Sequence, residues 1–348
     1  EYRYVYIRKN KKTHKTKPNI IMFSKIVLAL ALLAPVSAKF FSESPSTQKY
    51  LWESFKTEFN KEYASADEET YRFNVFVENL RLVDARNNMD TASHGITKFM
   101  DMSPSEFRET HLNYVADPNR ERTYADIEPL PEGTDALVDW TGKYTTPVKD
   151  QGYCGSCWAF SATEQIESDY MRTSGKEQIL STQQVTSCTP YFFAGGCSGG
   201  NTENAFDYAN AGLETESDYP YTSGRAGVTG SCNSDSSKFV VKSTGYTTVS
   251  SSASGESKMA SYVGATGPLS VCVDAETWSS YTGGIMSVCG TSVDHCVQAV
   301  GINTSGGYWK VRNSWGTSWG ESGFIRLSYG SNTCAIASDA NYAATAAV

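Results

Sequence analysis

The sequence predicts an α+β protein in two packed parts, preceded by a helical segment. Three observations carry this reading. Apolar residues recur every three to four positions between residues 45 and 112, and helical spacing returns after about Ser156. From residue 239 onward the chain becomes rich in Val, Thr, Tyr and Gly with short alternations, as antiparallel sheet requires. Helices first and strands later, rather than in alternation, argue against a parallel α/β layout.

Taken in order, residues 22–38 place Met22 and Lys25 before an apolar run, Ile26–Val36, that ends in small residues at Ala38. This is the layout of a secretory signal peptide, and the run is about half the roughly 20 residues a stable membrane span needs. Residues 1–21 are an upstream segment with no assigned role. In the next part Leu51, Phe55, Phe59 and Tyr63 recur at spacing four, followed by Phe73, Phe76, Leu80 and Val83, and no Pro or Gly interrupts Thr47–Ala92. Pro118 to Pro131 reads as a polar linker at a domain boundary, with Gly133 just beyond it. The expected division is therefore 39–136 for a first helical domain and 137–348 for the main domain.

In the main domain a helix is expected from Ser156 or Cys157 to about Thr173. Ser181-Thr-Gln-Gln184 is a capping-box pattern for a second helix, and Asn201–Asn210 fits a third. Leu269–Val273, Val297–Ile302, Tyr308–Val311 and Phe324–Leu327 are the expected strands. The serine-rich stretch Ser250–Ser257 reads as a surface loop.

The net charge of −8 leaves no basic excess to neutralise a phosphate backbone, which argues against nucleic acid as a partner. The charge is uneven: residues 1–38 hold eight basic residues and one acidic, while 137–348 hold 11 basic and 18 acidic. All nine cysteines lie after residue 137, an odd number that leaves a thiol over if the rest pair. A secreted chain would keep such pairs oxidised.

The strongest chemical signal is Gln151-Gly-Tyr-Cys-Gly-Ser-Cys-Trp-Ala-Phe160. A nucleophilic thiol works as thiolate, and a helix N-terminus lowers its pKa. Cys157 sits where the helix is expected to begin. It needs a base that becomes a cation beside it, and His295 is the only histidine after residue 137. Asn313 is the candidate to orient the ring. Gln151 can direct its amide at a developing oxyanion together with the Cys157 backbone N–H. The Cys154-x-x-Cys157 spacing also admits a redox pair or half a zinc site. Zinc needs about four ligands, and neither a second C-x-x-C nor more than one His follows. No metal or organic cofactor is expected.

These residues carry a family resemblance. QGYCGSCWAF, the GCSGG at Gly196–Gly200, Asp294-His295 and NSWGTSWGESGF at Asn313–Phe324 resemble the papain-like cysteine peptidases of the cathepsin L-like branch. Upstream, Glu68, Arg72, Phe76, Asn79, Val83 and Asn87 are similar to that family's interrupted prodomain helix motif, with Val83 where Ile is usual. Gly95, Phe99 and Asp101 are similar to its second prodomain motif, with Thr97 replacing Asn. The resemblance covers nearly all of residues 45–348.

The resemblance implies a papain-like fold with a helical left and a β-rich right subdomain, preceded by an inhibitory propeptide at 39–136 that crosses the cleft in the non-productive direction. It implies Cys157 as nucleophile, His295 as general base and acid, Asn313 as ring-orienting residue, Gln151 as oxyanion donor, and Trp315 as the indole shielding the Asn–His bond. Gly199 and Gly200 would bond the substrate backbone. It implies the bridges Cys154–Cys197, Cys188–Cys232 and Cys289–Cys334. Cys272 and Cys296 then fall on the wall of the second subsite, either as a fourth bridge or as two buried free thiols.

In the same alignment Asp339 lies at the bottom of that subsite, with Asn201 and Thr202 making it more polar. Arg two residues before the cut is therefore expected to be accepted about as well as Leu, unless Asp339 turns to solvent. The chain is expected to be a zymogen of a cysteine endopeptidase in the secretory pathway, bound for a lysosome-like compartment or the outside. An acyltransferase using the same pair and an inactive binding homologue are the alternatives. Expected partners are protein and peptide substrates, the chain's own propeptide and cystatin-type inhibitors, with the protein a monomer. Protonation of propeptide carboxylates is expected to loosen it in acid. Asn303-Thr304-Ser305 is a glycosylation sequon on an expected loop.

Overall fold

The computed structural model describes residues 39–190 and 195–348. The signal peptide and the upstream segment expected at 1–38 lie outside the described residues.

The first part opens with α1 (Pro45–Glu58) and α2 (Ala66–Met89). The uninterrupted stretch Thr47–Ala92 is thus not one helix. Asn60 takes a left-handed φ of 50°, and Ser65 starts α2 afresh by accepting a hydrogen bond from the Glu68 N–H. The break lets α1 fold back on α2, and Trp52, Phe55, Phe76, Leu80 and Val83 form a core of their own. A two-residue strand β1 (Ser93–His94) and α3 (Pro104–His111) follow. The start of α3 is a full capping box, Ser103 with Glu106.

The chain then runs extended past Pro118–Pro131. This segment is not a free linker: Ala125 donates to Thr248 and Leu130 donates to Ser257 along the main domain.

β2 (Leu137–Asp139) leads to α4 (Cys157–Ser174), which ends at Gly175 in the left-handed conformation. Every residue of α4 from Cys157 to Tyr170 is buried. Its apolar face packs on α5 (Thr182–Cys188), α6 (Thr202–Tyr208) and Leu213 in the helical subdomain core. Its polar face meets the sheet: Ser161 donates to the Val297 carbonyl, Gln165 to that of Pro268, and Glu164 faces the buried Arg312. A helix buried on all sides needs such partners for every polar group. At α5, Ser181 caps Gln184 N–H, but the Gln184 side chain turns away to Gly212 and Glu214, so the box is only half formed.

A short α7 (Ser223–Ala226) precedes β3 (Val241–Ser250), α8 (Glu256–Ala265), β4 (Leu269–Val273), β5 (Tyr281–Gly283), β6 (Ile285–Met286), β7 (His295–Asn303), β8 (Tyr308–Arg312), β9 (Phe324–Ser328) and β10 (Ala340–Ala347). The expected Ser-rich loop is only partly a loop, because Ser250 closes β3 and Glu256 opens α8, both buried. The main sheet has the order β3-β10-β4-β7-β8-β9-β6, with β2 beside β7, and is antiparallel except for β6 on β9. Val271, Val297, Trp309, Val311, Ile325 and Leu327 belong to its core. β1 pairs with β5 and ties the first part to this side of the molecule.

Candidate active site

The helical subdomain supplies the sulfur and the sheet supplies the ring. Cys157 is the first residue of α4 and is fully buried. His295 begins β7, also fully buried. The backbone N–H of Cys296, the residue beside His295, faces the Cys157 sulfur and favours its charged form. The two residues, 138 positions apart in sequence, are carried by elements that pack against each other, α4 and β7.

The imidazole is oriented from behind. His295 Nε2 lies 2.8 Å from Asn313 Oδ1, so that N–H donates to the amide oxygen. Nδ1 has no hydrogen-bond partner among the described residues. Trp315 packs against the ring at a tilt, with centroids 4.9 Å apart. Trp278 meets the ring edge-on at 6.2 Å.

Gln151 is fixed by its oxygen, which leaves its nitrogen free to donate elsewhere. Oε1 accepts from Ser314 Oγ at 2.8 Å and from Trp315 Nε1 at 3.1 Å. That leaves Nε2 to point into the cleft, where it reaches the His111 carbonyl at 3.3 Å and the Cys154 carbonyl at 3.0 Å. Ser314 and the double hold on Gln151 were not legible in sequence beyond the proximity of Ser314 to Asn313.

The first part of the chain lies across this site. The Asn113 backbone N–H approaches the Cys157 sulfur. Gly200 N donates to Asn113 O at 3.1 Å, and Val115 N donates to Gly200 O at 2.8 Å, a parallel bridge. Gly199 sits at a φ of 113°, and a Cβ there would come within 2.5 Å of Asn113 O, so only glycine admits a chain so close. Phe99, Phe107 and His111 pack edge-on against Trp315. Under this cover, burial pushes the Cys157 thiol up to about 11 and the His295 imidazole down to about 4. Both shifts favour the uncharged forms.

The remaining site residues fall as follows. Asn201 caps α6 by accepting from Asn204 N–H, and its Nδ2 donates to Val115 O at 3.2 Å. Thr202 is buried beside it. Cys272 and Cys296, cross-strand neighbours on β4 and β7, are joined in a disulfide. The bridges Cys154–Cys197, Cys188–Cys232 and Cys289–Cys334 are also present, and Cys157 is the free cysteine among the described residues. Asp339 does not turn to solvent. It is buried, and Tyr114 Oη donates to its Oδ2 at 2.7 Å while Asn341 donates to Oδ1. Asn303 ends β7 at a turn, its Oδ1 accepting from the Gly306 N–H. Glu203, next to Thr202, and Asp339 both pair with the upstream Arg122. Neither was singled out in the sequence, although Glu203 continues the polar run after Gly200.

Comparison with known proteins places the chain beside proteases that carry a propeptide. Residues 134–344 match the model of the papain family cysteine proteases, and residues 52–107 match the cathepsin propeptide inhibitor domain. The chain is 37% identical over 308 residues to digestive cysteine proteinase 1 of Homarus americanus, covering 84% of this chain and 93% of that one. It is 39% identical over 303 residues to a cathepsin L-like proteinase of Fasciola hepatica, covering 83% and 91%. Among solved structures, digestive procathepsin L 3 of the Tenebrio molitor larval midgut superposes with a TM-score of 0.76 at 34% identity, over 85% of this chain and 99% of that one.

Proposed function

Because the chain belongs to the papain family of cysteine proteases, with a cathepsin-type propeptide inhibitor domain ahead of the protease domain, we propose that Cys157, His295, Asn313 and Gln151 form the machinery of an endopeptidase that the chain's own propeptide holds silent. The supporting observation is that a peptide already lies over the site. The His111 carbonyl takes the Gln151 donor and the Asn113 N–H approaches the sulfur.

Once that peptide leaves, water reaches the pair and the cost of charge separation falls, while the α4 N-terminus favours the thiolate. The sulfur attacks a substrate carbonyl carbon. The oxyanion is stabilised by the Gln151 amide and the Cys157 N–H, and His295 gives its proton to the leaving amine. His295 then draws a proton from water, which hydrolyses the thioester. Asn313 keeps Nε2 engaged so that Nδ1 faces the reaction.

The pocket walled by Cys272, Cys296, Asn201 and Thr202, with Asp339 at its end, takes the residue two before the scissile bond. Gly199 and Gly200 bind the substrate backbone. A carboxylate in a confined pocket accepts a basic side chain there as well as an apolar one. The mature enzyme is residues 137–348, acting in the secretory pathway, in a lysosome-like compartment or outside the cell. The disulfides suit such a compartment, and no described helix is long and apolar enough to cross a membrane. An epoxide thiol inactivator tests the assignment. It should abolish peptide hydrolysis with one label on Cys157, and hydrolysis that persists in Cys157→Ser would refute it.

A further inference from the structure

Asp339 does not stand alone at the end of its pocket. Glu203, in the first turn of α6, brings a second carboxylate to the same place, and one nitrogen joins the two. Arg122 Nη2 lies 3.2 Å from Glu203 Oε1 and 3.6 Å from Asp339 Oδ2. The Tyr114 hydroxyl donates to that same Asp339 oxygen at 2.7 Å. Both carboxylate side chains are nearly sealed, at 4% and 3% exposure.

Arg122 and Tyr114 belong to the propeptide and leave with it. Two neighbouring carboxylates then remain in a confined site whose cation has gone. Like charges so placed take up either a proton or a new cation. Burial first, and Asp339 second, already raise the Glu203 carboxyl to about 7 against the pull of Arg122. The other titratable groups nearby are Asp207, paired with Arg120 at 2.9 Å, and the uncharged Tyr246 phenol on β3. Arg120 is also lost with the propeptide, so no basic residue among those named here stays behind to replace Arg122.

We propose that Glu203 is a second specificity-determining carboxylate, which with Asp339 forms a two-anion seat for a basic side chain two residues before the scissile bond, the seat that Arg122 covers in the proenzyme. This rests on the reading of Asp339 as the end of the substrate pocket. It adds a residue from α6 to a pocket whose recognition of charge was assigned to Asp339 alone.

The test compares peptides carrying Arg or citrulline at that position, which differ in charge but hardly in shape, on enzyme matured from the full chain. In Glu203→Gln the Arg-to-citrulline ratio of kcat/KM falls about tenfold, and in Asp339→Asn it falls similarly. A fall in Asp339→Asn with none in Glu203→Gln overturns the role of Glu203 and leaves the pocket reading intact. No fall in either overturns both. Should Glu203→Gln not fold, the wild-type enzyme decides. With two coupled carboxylates the ratio keeps rising above about pH 5, whereas one ordinary carboxylate gives a plateau by then. That plateau would overturn the proposal.

Discussion

The carbonyl oxygen of His111 accepts a hydrogen bond from Gln151 Nε2 at 3.3 Å, so a propeptide oxygen occupies the donor that the proposed mechanism turns on an oxyanion. The same side chain is locked from the other end by Ser314 and Trp315. Gln151→Ala is therefore expected to lower kcat by about 100- to 1,000-fold with little change in KM, as for loss of other oxyanion donors. Steady-state kinetics of the matured variant measure this. A loss confined to KM would remove Gln151 from the reaction.

The pH at which the propeptide lets go follows from its carboxylates. Burial opposes the charge of Asp90, but the His94 ring 3.6 Å away and hydrogen bonds from the Ser287 N–H and hydroxyl outweigh it and hold Asp90 below the ordinary carboxylate range. Glu106 is lowered in the same way, burial being outweighed by the Ser103 N–H and Arg72. A depressed pKa contributes stability above the unfolded value, about 4, and loses it as pH falls further. These groups therefore place loosening below about pH 4 rather than in mild acid. Hydrogen exchange of the Cys157→Ser proenzyme across pH reads this out, and an exposed propeptide at about pH 5.5 would contradict it.

Phe76 is fully buried against Trp52 and Phe55 in the propeptide's own core. Phe76→Ala should cost about 3–5 kcal/mol there. The expected result is a propeptide that unfolds at lower denaturant concentration and a proenzyme that matures faster. Unchanged latency would show that the extended segment inhibits without its helical support.

The cross-strand bridge Cys272–Cys296 leaves Cys157 as the free thiol among the described residues. Alkylation of the denatured, non-reduced protein should label one cysteine, Cys157, by peptide mapping. Labels on Cys272 and Cys296 as well would show that the two thiols stay apart.

Much of this was legible in sequence because it depends on local chemistry. Cys157 at the start of α4, the Ser181 cap, a third helix after Asn201, and the strands around Leu269 and Tyr308 follow from periodicity and capping alone. The family motifs added the disulfide partners. What could not be read depended on tertiary partners. The turn between α1 and α2 contains neither Pro nor Gly, and is set by a left-handed Asn60 and the Ser65 cap. Gln184 forsakes its capping box for Gly212 because burial offers it that carbonyl. Arg122 and Glu203 are 81 positions apart, and only the docked propeptide brings them together.

The central claim is that His295 makes a nucleophile of Cys157. The most direct measurement is the rate of Cys157 alkylation against pH in mature enzyme, compared with His295→Ala released from its propeptide by an added protease. The account predicts rapid alkylation of the wild type at about pH 5–6, with the curve of the variant moved toward the ordinary thiol value near 8.5. Superimposable curves, both rising only near that ordinary value, would contradict it.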